Sequence, residues 1–433
     1  MLQTSNEATP FHPVTRLRSL APIVAELVAR IDEDWRRAGF AQGDFPRISC
    51  DALSALSPHS RVDPIALIES IAAGEARDLI VGEHRSPQVI PLYAGPRFSL
   101  TLHLWQDHLQ SPHSHAWCGA YQVLHGTSLH GSYTFTERSR YDSKLLFGTL
   151  RQDALEPLGP GAIVPVLRGP DRLIHGICYV DPLGLSLSTR STENDPAMTH
   201  DYLDPGVAIQ GSHVDRATLE RFRSLDALLA LDPECAGVLL GNILDSADPR
   251  SCFYWLRHVA VNHRSAINLH GLFERAAPRF GPHADLALGG IETWAREAIL
   301  RARRKGLSDP DHRFLLGALH QARDLSAVEN IVQSRYAEAP RDFIGRCLTE
   351  MASIEGEAGW SVLGTPTTSD FGAVLVALLE DPRTEAVLAH LAEAYDADQI
   401  RTIEPVLRDA CETLRALPIL RPLFRPRATP GSA

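Results

Sequence analysis

Apolar residues recur at helical spacing near the start of the chain. Leu17, Leu20, Ile23, Val24, Leu27 and Ile31 lie three or four apart within residues 14–38, the stripe of an amphipathic helix. Asp63-Pro64 opens a second, short helix, because Asp caps the first turn and Pro has no amide hydrogen to lose there. The period then changes. In Phe98-Ser-Leu-Thr-Leu-His-Leu-Trp105 apolar and polar residues alternate strictly, which predicts a strand. Further strand-like runs follow at Gly119–Leu124, Ser128–Phe135, Lys144–Leu150, Ala162–Leu167, Leu173–Val180 and Leu183–Thr189, parted by Leu158-Gly-Pro-Gly161 and Arg168-Gly-Pro-Asp171. Many short strands with no helix between them predict a sandwich or small barrel. From about residue 215 the period returns to that of a helix. Asp232-Pro233, Asp248-Pro249 and Asp309-Pro310 mark helix starts, and Asp381-Pro382 precedes the last helical pair. No fixed repeat length shows.

The fold class expected is therefore α+β and multidomain. An N-terminal helical segment (1–79) precedes an antiparallel β-barrel (80–195), and an all-α C-terminal domain (215–425) follows. The polar stretch 191–215, with Asp-Pro breaks, reads as a linker, and the tail after Arg425 as frayed. Composition narrows the function. Apolar residues make up 44% and charged residues 22% of the 433 positions, the balance of a globular protein. A net charge of −11 argues against nucleic acid as the main partner. The longest apolar run, Phe371–Leu379, is too short to span a bilayer. The segment Leu20–Ala29 is cut by Glu26 and followed by Asp32, Glu33 and Asp34, unlike a signal peptide. Seven singly placed cysteines with no CxxC pair suggest a reducing, cytoplasmic setting.

Candidate chemistry concentrates in histidine. Six of the nineteen lie between His103 and His130. The sharpest element is His113-Ser-His115, since residues two apart on a strand point to one face and can reach one metal ion. A third imidazole arrives at His175, opening another strand-like run. Such a three-nitrogen site leaves coordination positions open and suits Fe(II), Ni(II), Cu(II) or Zn(II) alike. His103 lies on the face of its strand opposite Leu102 and Leu104 and is expected to line the cavity. His108, His125 and His130 read as turn or surface residues. Trp255, His258, Asn262, His263 and His270 fall in one segment of the helical half, where His263 and His270 are spaced to share a helix face. A buried or capping role is expected there.

The run Phe98–Trp105, then Ser111-Pro-His-Ser-His115, then Gln122-Val-Leu-His-Gly126 resembles the metal-binding core of the cupins, and most nearly the cysteine dioxygenase-type thiol dioxygenases. The likeness covers roughly residues 80–190. It implies a jelly-roll barrel holding Fe(II) on His113, His115 and His175. Many cupins add a glutamate five residues after the second histidine; that position is Ala120, so no carboxylate ligand is expected. The family's outer strand corresponds to Ser186, Ser188 and Arg190, where alternation places all three on one face. Its Ser-His-Tyr set and its Cys–Tyr crosslink are not reproduced, since Cys118 is displaced and Arg190 stands where the tyrosine would be. Counting back from Phe98 puts the family's carboxylate-reading residue at Gln88, with Arg85 or Arg97 as alternatives.

The leading expectation is a mononuclear non-haem iron oxygenase acting with O2 on a small carboxylate-bearing thiol or amino-acid-like metabolite. Catalytic or outer-sphere roles would fall to Arg190, Ser188 and Ser186, and substrate contacts to Gln88, Arg97, Arg172 and His103. A second expectation is a cupin binding or scaffold module whose helical half meets a protein partner or forms a homodimer.

Overall fold

The computed structural model describes residues 17–75, 88–106, 109–169, 172–193, 199–210, 214, 216–263, 268–356, 361–365, 369–391 and 397–424. Four helices come first: α1 (Ala21–Arg37), α2 (Phe45–Leu56), α3 (Pro58–Arg61) and α4 (Pro64–Ala72). The β-region holds β1 (Gln88–Ala94), β2 (Phe98–Trp105), β3 (Leu109–His113), β4 (Gly119–His125), β5 (Ser128–Asp142), β6 (Leu145–Leu158), β7 (Ile163–Val166), β8 (Ile174–Tyr179), β9 (Gly184–Ser191), β10 (Asp201–Leu203) and β11 (Val207–Ile209). All the pairings are antiparallel. One sheet runs β1-β2-β9-β4-β7, and the other, β10-β11-β6-β5-β8-β3, closes on itself. This is a closed antiparallel barrel with N-terminal helices and a helical C-terminal half.

Alternation sets what each sheet covers. Leu100, Leu102 and Leu104 of β2 join Ile90, Leu185 and Leu187 in one core with Leu27, Ile31, Trp35 and Phe45 of the N-terminal helices. The opposite face of the same strands looks inward, where Trp105, Tyr121 and Val123 meet Ile177 and Tyr179 from the other sheet.

The helical half runs from α5 (Arg216–Leu231), α6 (Pro233–Ser246), α7 (Pro249–Asn262), α8 (Leu269–Phe280) and α9 (Ala284–Lys305) through α10 (Pro310–Gln321), α11 (Leu325–Arg335) and α12 (Pro340–Ser353) to α13 (Ser369–Glu380), α14 (Thr384–Leu391), α15 (Ala397–Ala416) and α16 (Arg421–Phe424). Asp232, Asp248 and Asp309 cap α6, α7 and α10 by accepting from first-turn amides, with Pro directly after each cap. These helices share cores with the barrel. Leu109, Leu129, Cys178 and Val180 pack with α10 to α13, and Phe147, Leu203, Val207 and Ile209 pack with α5 to α9.

Two expectations about the β-region need correction. Residues 191–215 are not simply a linker: β10 and β11 lie within them, pairing with β3 and β6. The barrel therefore extends past 195, built from three-residue strands too short to show alternation. The Asp195-Pro196 break lies outside the described residues. The runs at β1 and β3 were also not expected as strands. Each carries a proline at a register shift, Pro91 in β1 and Pro112 in β3, where a bulge frees the ladder from needing an amide hydrogen. No helix among the described residues is long and apolar enough to cross a membrane. All seven cysteines are free thiols.

Candidate metal centre

The bulge at Ser111-Pro112 brings His113 directly opposite His175 on β8. His115 follows just past the end of β3. The three rings form a tight triangle, with centroids 4.7 Å apart for His113–His115, 4.6 Å for His113–His175 and 5.0 Å for His115–His175. One ring nitrogen from each lies within 4.8 Å of the others, and no carboxylate or thiol joins them among the described residues. His113 and His175 are buried, while His115 is half-buried.

His113 Nδ1–H donates to the Ser111 carbonyl at 3.0 Å, leaving Nε2 with a free lone pair. His175 Nδ1 lies 3.0 Å from His130 Nε2, so in the ligating tautomer it donates there and its own Nε2 is free. The Nε2 atoms of His115 and His175 approach to 2.8 Å; only one proton, or one shared cation, can sit between them. Burial drives the His113 proton affinity down to about 4. The same cause, with repulsion from the neighbouring rings, takes His115 and His175 well below the ordinary range. Three neutral imidazoles converging without a carboxylate are a fitting donor set for a divalent transition ion.

The wall beside this triad is β9 flanked by β2 and β4. Ser186 lies opposite His103 and Val123, Ser188 opposite Thr101 and Tyr121, and Arg190 opposite Ser99 and Gly119. Arg190 turns inward. Its Nε donates to Ser188 Oγ at 3.1 Å and its Nη2 to His103 Nε2 at 2.8 Å. The guanidinium lies 4.7 Å from the centre of the Trp117 ring, which itself packs 4.6 Å from His115. Burial lowers the Arg190 proton affinity to about 10, and no carboxylate pairs with it among the described residues. Trp105 Nε1–H donates to Ser186 Oγ at 2.9 Å. A buried guanidinium without a carboxylate partner among the described residues thus lies beside three histidines that could hold a metal ion.

Gln88 and Arg97, expected at the substrate, lie off the inward face. Gln88 pairs opposite Leu104, on the face that packs the N-terminal helices; the ungapped count from Phe98 slipped across the β1–β2 turn. Arg97 is exposed and stacks on Phe40 at 3.9 Å. Arg172 donates to the Tyr202 hydroxyl at 3.0 Å, and that hydroxyl in turn lies 3.5 Å from Oγ of Ser114, the residue between His113 and His115. Arg85 and His108 lie outside the described residues.

Other residues enter that the sequence did not single out. His130 is buried, and is a partner of His175 instead of a surface group. Ala120 faces the N-terminal helices, so the residue of β4 nearest the triad is Tyr121, 5.9 Å from His175 by ring centres. Its buried hydroxyl has no hydrogen-bond partner among the described residues, and burial holds its proton on. The alternation 119-121-123 is the signal that would have found it. From the helical half, buried Glu297 of α9 accepts a short hydrogen bond from Ser111 Oγ. Burial raises that carboxyl to about 7, the Ser111 hydrogen bond notwithstanding. Ser111 thus joins α9 to His113 through a single residue.

No family model matches the chain, and no curated protein is similar to it. Solved structures similar to parts of it include a cupin superfamily protein from Desulfitobacterium hafniense, at 18% identity over 26% of this chain and 84% of that one, with a TM-score of 0.18. The DMSP lyase DddQ from Ruegeria pomeroyi is similar at 15% identity over 40% and 92%, TM-score 0.22. The polyketide cyclase RemF from Streptomyces resistomycificus is similar at 19% identity over 32% and 84%, TM-score 0.19. Likenesses this remote carry no argument about activity; the fold rests on the strand pairing above.

Proposed function

We propose that the protein is a mononuclear metal enzyme of the cupin type, with Fe(II) on His113, His115 and His175, that oxygenates a small carboxylate-bearing thiol or amino-acid-like metabolite. The observation that carries the reading is the pairing of a carboxylate-free triad with an unpaired, inward-facing guanidinium. A ferrous ion bound by three neutral ligands keeps its charge and open positions, and would supply a place for substrate and O2 to meet. The chain's own residues account for the rest. Arg190 offers two donors to a carboxylate and is already oriented by Ser188 and His103, as bidentate recognition requires. A buried cation without a counter-ion is costly, so an anionic ligand is the complement the cavity lacks. Tyr121 presents an O–H donor beside His175. Trp117 packs between Arg190 and His115, and Trp105 packs against Tyr179.

The test is oxygen uptake by Fe(II)-loaded protein against a panel of thiol and amino carboxylates, with the uncharged amides of the same compounds as controls. The reading expects O2 consumption with the acids only. Turnover of an acid without O2 consumption would replace the oxygenase by a non-redox reaction at the same site; no turnover and no binding of any acid would leave a binding or scaffold module.

A further inference from the structure

The helical half brings together a second set of ligating side chains, far in sequence from the first. Asp226 of α5 accepts from His258 of α7 at 2.6 Å and from His263, the residue that ends α7, at 2.7 Å. Both contacts use Nε2, and both end on the same carboxylate oxygen. The three ligand atoms lie within 4.8 Å of one another. The site is at an edge: the side chains of His258, His263 and Asp226 are 12%, 20% and 40% exposed. Burial alone would raise the Asp226 carboxyl, but the two histidines outweigh it and hold the group ionised. His258 is fixed in plane by stacking on Phe222, 4.3 Å away and 9° from parallel. Its other nitrogen, Nδ1, meets the side-chain amide of Asn262 at 3.1 Å. A cation on Nε2 moves the ring proton to Nδ1, where that amide accepts it by turning over and giving up its 3.0 Å hydrogen bond to the His258 carbonyl. A fixed ring and an outer partner are what a metal-binding histidine needs.

We propose that Asp226, His258 and His263 form a second metal site, for a zinc-class divalent ion, that ties α5 to the end of α7. Two imidazoles and one carboxylate make a three-ligand set, with the fourth position open to water on the exposed side. The ion takes the place of the protons now shared between the histidines and Oδ1. The site is independent of the barrel triad, and its carboxylate makes it the harder of the two and prefers zinc to a thiol-seeking ion.

The experiment uses the full-length chain with His113→Ala and His175→Ala, which removes the barrel site, stripped with chelator and titrated with Zn(II) by calorimetry. One ion per chain is expected. Adding His263→Gln, at a partly exposed helix end, or Asp226→Asn should weaken binding by more than about 100-fold, beyond the 10- to 100-fold loss typical of an outer partner. Circular dichroism monitors the fold. If the barrel variants do not fold, the wild-type chain and His263→Gln alone are compared for bound ions, and the variant is expected to hold one fewer. No uptake by the folded, barrel-disabled chain, or uptake that His263→Gln and Asp226→Asn leave unchanged, would overturn the proposal.

Discussion

Replacing Arg190 by Met should change stability and ligand binding in opposite directions. Met keeps most of the volume but removes the charge and the donors to Ser188 and His103. In the ligand-free chain the guanidinium is desolvated enough to lower its proton affinity from its ordinary value to about 10. At about 1.36 kcal/mol per unit, that is about 3 kcal/mol; residual exposure reduces it to about 1–3 kcal/mol. This folded-state value is depressed, so the cost is constant below pH 10 and is relieved only above it. The ligand-free Arg190→Met chain is therefore expected to be more stable at pH 7, by up to that amount, in urea unfolding. Its affinity for a short carboxylate such as 3-mercaptopropionate should fall, since charge-assisted hydrogen bonds are worth about 1.5–3 kcal/mol, or roughly 10- to 100-fold. Metal content should not change. Calorimetry on the Co(II)-loaded wild type and variant reads the second effect. A variant that loses stability and binds the acid as before would refute the assignment of Arg190 to an anion.

His130→Ala should leave the fold intact but weaken metal binding by about 10- to 100-fold, because His175 loses the partner that sets its tautomer; unchanged Co(II) affinity would count against that role. Burial depresses both His113 and His130 to about 4. The unfolded chain thus takes up protons first, and stability present above pH 6.5 is lost as pH falls towards 4, by about 2–3 kcal/mol per ring at most. Urea unfolding of the metal-free chain at pH 7 and pH 4.5 checks it, and His113→Phe should reduce the difference by one ring's share. Glu297 has the opposite sign: its carboxyl is raised from 4.5 to about 7, so the stability it contributes is present below pH 4.5 and lost as pH rises through 7. Glu297→Gln should then stabilise the chain at pH 8 by about 1–3 kcal/mol, and no gain there would contradict a strained buried carboxylate.

Much of the architecture is legible in the chain because each layer has its own period. β2 alternates over its whole length, as a strand buried on one side by leucines and lining a polar cavity on the other must. The helix starts are legible too, since Asp-Pro combines a cap with a residue that fits only the first turn. What escapes is what alternation cannot carry. Strands β10 and β11 are too short, and β1 and β3 are broken by prolines that sit at bulges. The triad was visible as His113-Ser-His115 plus a distant His175, although the bulge that sets His113 opposite His175 was not. Counting across a turn set Gln88 on the face that packs the N-terminal helices, whereas strand alternation brought His103, Ser186, Ser188 and Arg190 to one inward face. Long-range partners such as His130 with His175, Glu297 with Ser111, and Asp226 with two histidines leave no local pattern at all.

The central claim, a metal centre of three histidines with no carboxylate, is tested most directly by metal analysis of the full-length protein purified without chelator, beside His113→Ala, His115→Ala and His175→Ala. Each replacement removes one of three donors. Each single variant is predicted to carry one metal ion fewer per chain than the wild type while keeping its circular dichroism spectrum. Wild-type metal content in all three folded variants would contradict it.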